Sequence, residues 1–235
     1  MTGKVAIISG ASRGIGAGLV TGYRRQGWAV VASARTIKPS EDPDLLTVAG
    51  DITDPETADR VIGGALGRWG RIDTLVNNAG AFISKPFTDY TAADYALVTG
   101  VNLAGFFWLT QLVIAEMLRQ QGGHVVNISA SVAERADSAT PAVLTALTKG
   151  GLAAATRSLA VEYASRGIRV NAVAPGIIQT PMHPAESYAG LGDRLPPLGR
   201  VGQVSDVVGG VLYLESAPYV TGEILYVDGG QIAGH

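Results

Sequence analysis

No cysteine occurs among the 235 residues of this chain, which excludes disulfides, thiolate metal sites and a cysteine nucleophile. Charge is scarce too. Only 16% of residues are charged and the formal net charge is −2, so neither a basic nucleic-acid surface nor an acidic tail is present. The longest basic cluster is the pair Arg24-Arg25. The longest apolar stretches break before the roughly 18–20 residues that a membrane span requires. A strand pattern begins almost at once, leaving no room for a signal peptide. The expectation is a soluble cytoplasmic protein with no metal, no nucleic-acid partner and no membrane partner. What is abundant is apolar side chain, 47% of the sequence, enough for the core of one large α/β domain.

The first sixteen residues set the pattern. A Val- and Ile-rich run ends at Gly10, a turn carries Gly14 and Gly16, and a helical pattern follows. Glycines there let the chain turn sharply and let a pyrophosphate approach the backbone, while the helix N-terminus offers free N–H groups to the anion. Strand patterns recur at 5–9, 28–34, 45–49, 74–77, 124–129, 169–174 and 223–227, mostly as continuous apolar runs. Helical patterns lie between them at 15–26, 55–69, 92–121, 142–166 and 203–214. Gly27, Gly70, Gly122 and Gly167 stand where left-handed helix ends are needed; Asp54-Pro55 and the Thr91/Asp94 pair mark helix starts. Alternation of this kind predicts a single domain over residues 1–235. Its fold class is α/β, a Rossmann-type doubly wound parallel sheet of about seven strands with helices on both faces and ligands at the carboxyl ends of the strands. The Pro- and Gly-rich stretch 180–200, with Met182, His183 and Tyr188, reads as a substrate lid or as a plain surface connection.

Read strand end by strand end, the chain carries a nucleotide site. Gly10, Ser12, Arg13, Gly14, Ile15 and Gly16 form the phosphate turn. No acid follows the second strand where a ribose 2′-hydroxyl would be held. Arg35 there and Arg13 in the glycine turn suit a 2′-phosphate, which favours NADP(H) over NAD(H). Arg35 also reads as a solvated surface charge. Asp51, followed by Ile52, suits an adenine amino group or is a simple loop acid. Asn77, Asn78, Ala79 and Gly80 combine amides that tie a loop with small residues that leave room for a ligand.

Gly10-x-x-x-Gly14-x-Gly16, Asp51, Asn77-Asn78-Ala79-Gly80, Val101-Asn102, Lys149 and Pro175-Gly176-x-x-x-Thr180 occur in an order and spacing that resemble the short-chain dehydrogenase/reductase family over essentially the full length. The resemblance implies hydride transfer between a nicotinamide cofactor and a carbonyl or alcohol carbon of a small substrate. It also implies a dimer or tetramer built on two long central helices. It assigns Asn102 to a proton-relay water and Lys149 to the cofactor ribose. Pro175, Gly176, Ile178 and Thr180 fall to the nicotinamide carboxamide.

The family pattern also breaks. Its tyrosine position, four residues before Lys149, holds Thr145, and no tyrosine lies between Tyr95 and Tyr163. A threonine hydroxyl is a poor general acid, whereas a tyrosine near 10 can be tuned by a neighbouring lysine. The serine position falls on Ala130 read forward from Asn127 and on Ser131 read back from Lys149, with Ser129 adjacent. The loop beyond adds Glu134, Arg135 and Asp137, as solvated charges or as a substitute acid. General acid catalysis contributes about 10²–10⁴-fold, or roughly 3–5 kcal/mol of barrier, so its loss leaves a slow NADPH-dependent reductase of carbonyls or imines feasible. The alternatives are a catalytically silent NADP(H)-binding protein and a non-redox lyase or isomerase using the 134–137 loop or His183.

Overall fold

The structure is a computed structural model that describes residues 3–181 and 195–234. Seven parallel strands form one sheet in the order β3-β2-β1-β4-β5-β6-β7. They are β1 (Val5–Ser9), β2 (Ala29–Ala34), β3 (Leu45–Ala49), β4 (Thr74–Asn77), β5 (Gly123–Ile128), β6 (Ile168–Pro175) and β7 (Ile224–Val227). Strand order reverses between β1 and β4, which opens a crevice at their carboxyl ends. Six helices among the described residues cover both faces: α1 (Gly14–Arg25), α2 (Pro55–Trp69), α3 (Ala92–Thr99), α4 (Gly105–Gln120), α5 (Val143–Tyr163) and α6 (Val204–Ser216).

Burial on both faces explains why the strands read as unbroken apolar runs. Along β1, Val5 and Ile7 join the core with Val61 of α2 and Leu109, Val113 and Met117 of α4. The alternate residues Ala6 and Ile8 pack with Leu19 and Tyr23 of α1 and Val207, Val211 and Leu214 of α6. Both layers come from the two-residue period of a strand. Helix starts are as expected. The Asp54 carboxylate accepts from the Glu56 N–H with Pro55 in the first turn, and Thr91 with Asp94 forms a reciprocal capping box.

Three expectations are corrected. Gly27, Gly70 and Gly167 take positive φ, but Gly122 does not. The side chain of Gln120 is held by both backbone groups of Ile72. The helix stops one residue early and Gln121 is the left-handed residue at φ 61°, with the Gly122 N–H reaching back to the Met117 carbonyl. The expected helix over 92–121 is likewise interrupted by a π turn, Gly100–Ala104. There Gly105 lies so close to Ile52 that a Cβ would come within 2.8 Å. Finally, 92–120 does contain a stretch long and apolar enough to cross a membrane. Of its apolar residues, Leu109, Val113 and Met117 pack into the core and Val98 is buried, while Leu97 and Phe107 are exposed.

Candidate active site

The glycine turn is built by close approach. A Cβ on Gly16 would lie 2.2 Å from the Gly10 carbonyl oxygen, and one on Gly10 would lie 2.8 Å from Ala79 Cα. Gly10 and Gly14 have φ of 66° and 56°, the region only glycine enters freely. Asn78 fixes the neighbouring loop, its Nδ2 donating to the carbonyls of Ser9 (2.9 Å) and Gly10 (3.1 Å). The Ser9 hydroxyl accepts from the Asn78 and Ala79 N–H groups. Asn77 points inward instead, donating to Thr110 and Asn127. No side chain caps α1 and its first turn holds no acid, so those amides remain for an anion. These residues fit a dinucleotide phosphate.

Around that turn, Ser12, Arg13, Arg35 and Asp51 are exposed, and Ile15 and Ile52 half-buried. Asp51 Oδ1 accepts from the Thr53 N–H and hydroxyl at 3.0 and 2.9 Å. The Thr53 N–H bond chiefly holds the Asp51 carboxyl below its ordinary range; the Thr53 hydroxyl and the Arg35 charge add to it and partial burial opposes it. Arg35 therefore stands near the expected adenosine end. The Arg13 side chain makes no hydrogen bond or ion pair among the described residues, although it sits at the positive end of α1, where its carbonyl accepts from the Ala17 N–H. Thr180 closes the other side, its Cβ and Cγ2 lying 3.5 Å from where a Gly14 Cβ would be.

At the catalytic end, Gly80 lies between the two residues assigned by resemblance. A Cβ there would be 3.2 Å from Lys149 Nζ and 3.6 Å from Asn102 Oδ1. Asn102, buried on the π turn, accepts from the Ala81 N–H (2.8 Å) and donates to the Ala81 carbonyl (3.0 Å) and Thr148 hydroxyl (3.0 Å). Lys149 Nζ donates to the Ile128 carbonyl at 2.6 Å. Burial alone lowers its pKa to about 8. Thr145 lies one turn earlier on the Lys149 face of α5. Its hydroxyl is the single buried side-chain oxygen among the described residues that lacks a hydrogen-bond partner.

Neither serine meets these groups. Ser129 donates to the Lys149 backbone carbonyl at 3.1 Å, and Ser131 to Gln231 Oε1 at 3.4 Å. Of the loop charges, Arg135 is half-buried and donates to the Gln231 carbonyl, while Glu134 and Asp137 are exposed, Asp137 accepting from the Ala139 N–H of its own loop. The reading of Arg135 as a solvated charge is thus corrected. Pro175 ends β6, Gly176 abuts Asp228, and Ile178 is buried and bridges to Gly202. Met182, His183 and Tyr188 lie outside the described residues. Thr148 and Gln231 were missed by sequence reasoning: Thr148 looks like a helix filler, and Gln231 is 100 residues from its partner Ser131.

Known proteins share the sequence pattern and the fold of this chain. Residues 10–231 match the family model described as enoyl-(acyl carrier protein) reductase. The 3-oxoacyl-[acyl-carrier-protein] reductase of Thermotoga maritima is 34% identical over 250 aligned positions, covering 99% of each chain. Among solved structures, 3-ketoacyl-(acyl-carrier-protein) reductase from Brucella melitensis complexed with NADH superposes with a TM-score of 0.88 at 28% identity, covering 98% of both chains. ElxO with NADP bound gives 0.88 at 27%, covering 99% of this chain and 100% of the other.

Proposed function

Since this chain belongs to the short-chain dehydrogenase/reductase family, an oxidoreductase lineage, we propose that it is an NADPH-dependent reductase of a small carbonyl or imine compound. Its active site is atypical, with Thr145 in the tyrosine's place. The observation that carries the reading is the meeting of Lys149 Nζ, Asn102 Oδ1 and Gly80 beside the uncapped start of α1. When bound, NADPH supplies the hydride that reduces the substrate carbon.

The chain's own residues do the rest. Gly10, Gly14 and Gly16 admit the phosphates, and Arg13 with Arg35 takes the 2′-phosphate. The Lys149 ammonium holds the ribose, and Asn102 fixes the loop that carries Gly80. The proton for the substrate oxygen comes from water or from the Thr145 hydroxyl, neither of them a strong acid, so turnover is slow. Imines are the favoured members of a test panel, because a protonated iminium becomes a neutral amine on hydride addition alone and needs no proton from the enzyme. NADPH oxidation should exceed the buffer rate with at least one ketone, aldehyde or cyclic imine, and should fall in Lys149→Ala. Rates equal to buffer across the panel would sink the proposal.

The unpartnered Thr145 hydroxyl favours a second reading, a silent NADP(H)-binding protein. It predicts thermal stabilisation by NADPH without turnover, and it fails where native turnover exceeds that of Lys149→Ala. In either reading the working form is a homodimer or homotetramer. The support is a groove of about 340 Å³ between α4 and α5, walled by Leu103, Phe106, Phe107 and Leu152. Phe107 and Leu147 lie exposed on these same helices. Sedimentation of the native chain against Phe107→Asp should show loss of the oligomer.

A further inference from the structure

The carboxyl-terminal turn after β7 touches three segments that border the candidate active site. Asp228 organises the turn by itself, its carboxylate accepting from the Gly230 N–H (2.9 Å) and the Ile232 N–H (2.8 Å). Gly229 and Gly230 lie against the base of the substrate segment. A Cβ on Gly229 would come within 2.9 Å of Pro196, and one on Gly230 within 3.2 Å of Pro197. The Leu198 N–H also donates to the Gly229 carbonyl. Gln231 then turns inward. Arg135, on the β5–α5 loop, holds its backbone carbonyl. Its Oε1 accepts from the Ser131 hydroxyl at 3.4 Å and occupies the space left by the missing side chain of Gly176, 2.9 Å from where that Cβ would be.

Two features separate this arrangement from a simple tail anchor. Asp228 and Arg135 already hold the turn and its backbone, so the Gln231 side chain is not needed for that task. Its acceptor is directed instead at a buried hydroxyl at the end of β5, and Ser131 donates to no other group among the described residues. A hydroxyl rotor with a single acceptor in reach is oriented by that acceptor.

We propose that Gln231 is a positioning residue for Ser131: it sets the direction of the serine hydroxyl and links it to the base of the substrate segment through the carboxyl-terminal turn. This rests on the reductase reading and on the family's serine position, which the resemblance, read back from Lys149, gives to Ser131. Gln231 touches neither substrate nor cofactor and acts through Ser131.

The test is a double-mutant cycle on the full chain with Ser131→Ala, Gln231→Leu and their combination, plus Gln231→Glu as the variant that keeps an acceptor. Gln231→Leu should lower kcat about tenfold, the equivalent of one ordinary hydrogen bond, with KM for NADPH unchanged. Gln231→Glu should recover most of the rate, and the double variant should be no slower than Ser131→Ala alone. Additive losses in the double variant, or a Gln231→Leu effect confined to KM for NADPH, would overturn the proposal. If the native chain reduces nothing in the panel, the reductase reading fails by itself. The same four proteins then decide the Gln231 contact by urea unfolding, where non-additive midpoints support it and additive ones overturn it.

Discussion

Thr145 and Lys149 occupy one face of α5 a single turn apart, and each carries an unbalanced polar group. The Thr145 hydroxyl is buried without a partner among the described residues, a situation that costs a folded protein about 1–3 kcal/mol. Thr145→Val keeps the shape and removes the hydroxyl. It should raise stability to urea by about 1 kcal/mol and leave NADPH affinity unchanged. A drop in stability would show that the hydroxyl has a partner after all. Lys149 is buried and titrates near 8 rather than at 10.5. In the proposed reading its ammonium is the form that holds the ribose, so NADPH affinity should fall as pH rises through about 8, by up to tenfold per pH unit. Stability of the ligand-free protein should move the opposite way. Between about 8 and 10.5 the unfolded chain keeps the proton that the folded chain has lost, so this lysine's contribution grows more favourable with rising pH. Lys149→Met should flatten both trends, and parallel binding titrations and melts at several pH values would show whether it does.

At the scale of elements, the π turn matters because it joins α3 and α4 while directing Asn102 at Ala81. The carboxamide satisfies both backbone groups of that residue and reaches α5 through Thr148. Asn102→Ala should therefore cost about 1–3 kcal/mol of stability and also weaken NADPH binding, since the loop it fixes carries Gly80. An effect on only one of the two, in melts and titrations of the same preparation, would separate Asn102 from the loop. The sequence was legible here in part. Asn102 and Lys149 were singled out by the family resemblance, and helix starts at Asp54 and Thr91 follow from local hydrogen-bond chemistry that a few residues determine. The π turn could not be read from the local pattern; at its end Gly105 meets Ile52, more than fifty positions away. Gln121 was hidden as well, next to a Gln120 side chain that binds Ile72, 48 positions away. Ser131 and Gln231, 100 positions apart, are another such case, a contact that exists only once β5, β6 and β7 are side by side.

Across the whole molecule the two ends of the sheet differ. The glycine turn and the other residues proposed for the cofactor gather beyond the carboxyl ends of the strands, whereas a buried polar network crosses their amino ends. There the Glu215 carboxylate of α6 accepts from the Tyr23 hydroxyl of α1 (3.0 Å), the Thr74 hydroxyl of β4 (2.9 Å) and His124 Nδ1 of β5 (3.2 Å). Asn171 of β6 fixes the tautomer. Its Oδ1 accepts from the Glu223 N–H and its Nδ2 donates to the Val220 carbonyl, so Nδ2 faces His124 Nε2, which must be an acceptor. His124 is thus neutral with its proton on Nδ1. Burial lowers its pKa more than the Glu215 carboxylate raises it. Burial pushes the Glu215 carboxyl up, but the bonds from His124, Thr74 and Tyr23 outweigh it and hold the group low. None of these five residues stands out in the sequence, since each is an ordinary polar residue until five elements converge. Removing the acceptor strands three donors at once, so Glu215→Leu should cost about 3–5 kcal/mol, against about 1 kcal/mol for Tyr23→Phe. The pH dependence follows from the depressed histidine. As pH falls below 6.5 the unfolded chain takes up a proton that folded His124 refuses, so stability should decline there. His124→Asn should remove that part of the decline. NADPH affinity of Tyr23→Phe should equal that of the native chain, because the network and the glycine turn lie at opposite ends of the strands; a change there, measured by titration well below the melting temperature, would show that the two ends are coupled.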